Sequence, residues 1–68
     1  MTKDCEVSIT GRPQILRMSQ DQAESKFVVH LGGFGACLDF KGAMGRGETW
    51  SRTKDGVTVY ISPIGTSK

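Results

Sequence analysis

Among the side chains able to do covalent chemistry, Cys37 and His30 lie close enough in sequence to invite a dyad. An imidazole can take a thiol proton and leave a thiolate nucleophile. That chemistry also needs a group to orient the histidine and donors for an oxyanion, and neither is visible around these two residues. The second thiol, Cys5, forms no C-x-x-C pair with Cys37, and with His30 as the single imidazole a structural zinc site falls short of its usual four ligands. The expectation is two free thiols, no catalytic residues, no metal and no cofactor.

Two glycine clusters could let backbone amides approach a phosphate. Gly32, Gly33 and Gly35 follow a helical stretch, so they would meet an anion with the negative helix end and read better as a cap or turn. The second cluster, Gly42 to Gly47, leads into Lys41, Arg46, Trp50, Arg52 and Lys54, with cations on both sides of the single tryptophan. This is the candidate partner-binding set. Trp and Arg are enriched at protein hot spots, and an aromatic ring among cations can also hold single-stranded nucleic acid. The alternative is that Trp50 belongs to the core and the cations form a solvated rim.

The elements that would position these residues begin with Met18 to Gly33. Ser19 and Gln22 have capping-box spacing, Asp21 and Glu24 suit the positive helix end, and Ala23, Phe27 and Leu31 recur every four residues. The pattern predicts a helix over 20–31, closed by Gly32-Gly33. Short strands surround it. Val7 and Ile9 alternate with Glu6, Ser8 and Thr10, and Gln14 to Met18 is a second extended run after Gly11-Arg12-Pro13. Ala36, Leu38 and Phe40 alternate with Cys37, Asp39 and Lys41, which predicts a strand over 35–41 and a mobile loop over 42–47. Asp55-Gly56 is a hairpin signal between Thr49–Lys54 and Val57–Ser62, and Pro63 closes the last strand.

The fold expected is α+β, a small mostly antiparallel sheet in the order β-β-α-β-β-β with one helix across one face. Because Lys26 to Leu31 also alternates, an all-β six-strand meander or small barrel is the alternative. The 68 residues make a single domain, 1–68, with frayed ends at about 1–4 and 64–68.

Composition narrows the function. The net charge of +2 is mild, but residues 41–54 carry +3 and the remainder −1. No run is apolar enough to span a bilayer, and Met-Thr-Lys-Asp-Cys-Glu lacks the apolar core of a signal peptide, so the expectation is cytoplasmic, with no membrane partner. A chain this short offers surface more readily than a cavity. The reading is a small non-enzymatic protein that occupies a surface of a larger protein partner. In size it is similar to accessory inhibitors and regulators of phages and other mobile elements. A nucleic-acid-binding module using 41–54 is the alternative, and a homo-oligomer is compatible with either.

Overall fold

Alternation builds the sheet. Cys5, Val7 and Ile9 of β1 (Asp4–Ile9) share one face with Leu16 and Met18 of β2 (Ile15–Ser19), Trp50 of β3 (Trp50–Lys54), and Val59 and Ile61 of β4 (Val57–Pro63). The computed structural model describes residues 3–64, and in it these four strands form one open antiparallel sheet in the order β2-β1-β4-β3. Asp55 and Gly56 both take positive φ, 54° and 77°, as the two-residue hairpin between β3 and β4 requires. A helical run over residues 20–45, α1, joins β2 to β3 and covers the apolar face. The class is α+β with one helical element on an antiparallel sheet, as expected, and the all-β meander or barrel is not formed.

The capping box forms as the spacing predicts. Ser19 Oγ accepts from the Gln22 amide at 3.1 Å, and Gln22 Oε1 accepts from the Ser19 amide at 3.4 Å. The first turns then open into a π-helical segment, Glu24–Val28, whose wider turn brings residues five apart onto one side. Ala23 and Val28 are therefore fully buried, while Phe27 and Leu31 only flank the core.

Residues 35–41 are helical, which corrects the strand expected there. Ala36, Phe40, Ala43 and Met44 are buried at helical spacing, whereas Leu38, placed in the core by the alternating pattern, is 61% exposed. The glycine-rich loop expected over 42–47 shrinks accordingly, since Gly42 to Gly45 form the last turn of α1.

The helical run is also bent. Glu24 and Lys41, 17 residues apart in sequence, would be separated by about 25 Å in a straight helix. Their side chains nevertheless meet at 3.6 Å. The bend is at Gly33, where φ 65° and ψ −143° leave helical space and the chain doubles back, so α1 consists of two arms, residues 20–32 and 34–45. Gly32 must be small as well, because a Cβ there would lie 2.7 Å from that of Ala36 and 2.9 Å from the Arg52 guanidinium carbon.

Two backbone bonds tie the outermost described residues to the fold. The Gln20 amide donates to the Lys3 carbonyl at 2.7 Å, and the Ile64 amide donates to the Asp4 carbonyl at 3.1 Å. Of the ends expected to fray, Lys3, Asp4 and Ile64 take part in these bonds, and residues 1–2 and 65–68 lie outside the described residues. No helix among the described residues is long and apolar enough to cross a membrane.

Candidate functional site

The five residues of the basic region fall into two groups. Trp50, the first residue of β3, is 6% exposed and meets Phe40 of the second arm edge to face, with ring centroids 5.7 Å apart and planes at 87°. Such pairs add about 0.5–1.5 kcal/mol beyond area burial. Trp50 therefore belongs to the core, the alternative that the sequence left open.

Each of the four cations has a neighbour within the chain. Lys41 pairs with Glu24 across the two arms, and Arg46 donates from Nε to Glu48 at 3.0 Å. Arg52 and Lys54 project from the helix-facing side of β3 in register with Val59 and Val57. The Arg52 guanidinium lies over Gly32, and Lys54 Nζ donates to the His30 carbonyl at 3.0 Å. That carbonyl belongs to the last turn before the bend, where helical partners run out, and a cation there also suits the negative end of the first arm. Lys54 therefore acts as a cap supplied by the sheet, with the Arg52 guanidinium beside it over Gly32.

Cys5 is buried, and Cys37 is half-buried; both are free thiols. Burial pushes the Cys37 thiol up, and the Glu24 carboxylate, close enough to accept its proton in a hydrogen bond, pushes it further, with Lys41 opposing. Thiolate formation is disfavoured, the reverse of what attack requires. No group of three or more His, Cys, Asp or Glu residues among those described is placed to hold a metal ion. A groove of about 350 Å³ runs where the ends of the two arms meet, lined by Lys3 and Lys41 but also by Asp21 and Glu24.

The surface feature that the sequence pattern missed is on the second arm. Phe34 is 83% exposed and Leu38 61%, one helical turn apart, and they point away from the stripe of Ala36, Phe40, Ala43 and Met44 that packs on the sheet. Lys41 stands one turn further along the same outer stripe. Gly35 and Gly45 beside it have no neighbouring atoms where a Cβ would be, which leaves the backbone open to close approach. The arm is thus apolar on both sides, with Asp39 and Lys41 the charged residues between 34 and 45. The signal was legible in principle, since 34 and 38 have helical spacing. Reading 35–41 as a strand hid it by assigning Leu38 to the core.

No protein family, curated protein or solved structure was found to match this chain.

Proposed function

We propose that this is a small non-enzymatic cytoplasmic protein that acts by occupying a surface of a larger protein partner, as an accessory inhibitor or regulator. The observation that carries the reading is the exposure of Phe34 and Leu38 together on the outer stripe of an arm whose inner stripe is already core. Helices that are apolar all round are ordinarily buried on all sides. Covering either side chain would gain about 1.5–3 kcal/mol, a gain that the isolated domain forgoes. Aromatic anchors of this kind dominate binding energy when a partner pocket receives them. Lys41 sits at the rim of that stripe and belongs to the contact. Trp50 supports the arm by packing on Phe40, Lys54 and Arg52 lie over the first arm, and Arg46 pairs with Glu48 at the surface beyond the end of the second.

The test is affinity capture from lysate with and without nuclease, followed by titration of the captured protein, once purified, against variants. Phe34→Ala is expected to weaken association by about 2 kcal/mol or more, the hot-spot threshold, with little dependence on salt. Capture that disappears with nuclease would overturn the reading. So would an affinity whose salt slope flattens by about 0.7–0.9 for each of Lys41, Arg46, Arg52 and Lys54 neutralised, the mark of phosphate contacts.

A further inference from the structure

The two edges of the sheet are built differently. On β3 the residues that would meet a new strand are accompanied by Arg52 and Lys54, and cations are a common guard against edge-to-edge pairing. On β2 the exposed residues are Ile15 at 61% and Leu16 at 40%, with Arg17 as the single charge of the strand. Ile15 and Leu16 are consecutive and so lie on opposite faces of the sheet. Apolar side chains at the rim of this edge, on both faces, would gain cover from the side chains of a strand added beside them.

The hydrogen-bond ladder shows what that edge offers. The bond from the Gln20 amide to the Lys3 carbonyl continues the register in which Cys5 opposes Met18 and Val7 opposes Leu16. Bonded and non-bonded pairs alternate in an antiparallel ladder, so Met18 and Leu16 bond inward to β1. The N–H and C=O groups of Ile15, Arg17 and Ser19 point outward. The Ser19 amide is taken by Gln22 in the capping box, which leaves Ile15 and Arg17 as the residues able to exchange bonds with another strand.

We propose that the occupant of this edge is a second copy of the chain, paired antiparallel through β2 with Leu16 at the two-fold axis. A two-fold axis normal to the sheet brings together residues of the same face, so the short registers place either Arg17 opposite Arg17 or Leu16 opposite Leu16. The first sets like charges directly against each other, which is destabilising. The second makes Leu16 a non-bonded pair, the kind in which cross-strand side chains approach most closely. It also makes Ile15 of each copy exchange both backbone bonds with Arg17 of the other. The aliphatic stem of that arginine then covers the Ile15 side chain, while its guanidinium extends toward Glu6, which stands opposite Arg17 in register on the same face. The product is one continuous sheet with both helical elements on the same side.

The experiment is mass by light scattering or sedimentation from micromolar to millimolar concentration, combined with amide hydrogen exchange. Twice the monomer mass of 7.4 kDa is expected at the upper end. The Ile15 and Arg17 amides should slow with concentration while the Leu16 and Met18 amides, bonded within each copy, do not depend on it. Leu16→Lys, at a site already partly open to solvent, should keep the circular dichroism of the parent and weaken self-association at least about tenfold, or 1.4 kcal/mol. Phe34→Ser should leave self-association unchanged. A single-copy mass at millimolar concentration overturns the proposal. A dimer that survives Leu16→Lys, or that leaves the Ile15 and Arg17 amides fast, overturns it too, because association would then use another surface.

Discussion

Residues 41–54 and the outer stripe of the second arm make an instructive pair. The first region gathers four cations and a tryptophan, the composition of a binding site, yet its tryptophan packs on Phe40 and its cations engage Glu24, Glu48, Gly32 and the His30 carbonyl. The second holds two apolar residues of no special chemistry and leaves them in water. Residue type identifies what a side chain can do, but its neighbours decide whether that capacity is already used. Here the chemically distinctive residues already have neighbours within the fold, and the large side chains left open are plain hydrocarbon.

The largest expected effect tests the structural half of this contrast. Trp50→Ala should cost about 3–5 kcal/mol of stability in urea denaturation, the range for large aromatic residues truncated in a core. A loss below 1 kcal/mol would mean that Trp50 is not core, and the contrast would collapse.

Next comes the other half. Phe34→Ala should lower partner affinity by about 2 kcal/mol while changing stability by no more than about 0.5 kcal/mol, as surface substitutions do. Equal losses in both measurements would move Phe34 into the core and leave the arm without a free face.

The bend that sets the two regions apart is tested by Gly33→Ala. A φ of 65° with a ψ of −143° lies in backbone space that is close to glycine-only, so a side chain there costs about 1–3 kcal/mol, and the loss should appear in thermal unfolding. If stability is unchanged, the arms are not joined through this backbone conformation.

The smallest effect belongs to the cap from the sheet. Lys54→Met should cost about 0.5 kcal/mol at low salt and less as salt is added, because an exposed cation at a helix end is screened. A loss independent of salt would assign Lys54 to packing rather than to charge.

Local sequence determined the capping box at Ser19 and Gln22, the Asp55-Gly56 hairpin and the alternating strands, because each depends on residues within a few positions of one another. It also placed the end of the first arm at Gly32-Gly33. Three features were decided by tertiary structure. Residues 35–41 satisfy both the alternating and the helical period at 36 and 40, and packing of Ala43 and Met44 on the sheet selected the helix. The π-helical turn exchanged Phe27 for Val28 in the core, a shift that no repeat of four foreshadows. The burial of Trp50 was fixed by Phe40, ten residues away in sequence, across the turn after Gly45 in which the Gly47 amide donates to the Met44 carbonyl and the Glu48 amide to that of Ala43. Spacing governs what neighbours along the chain can do, whereas competition for a small apolar volume, settled only when all the elements meet, governs which side chains are left outside.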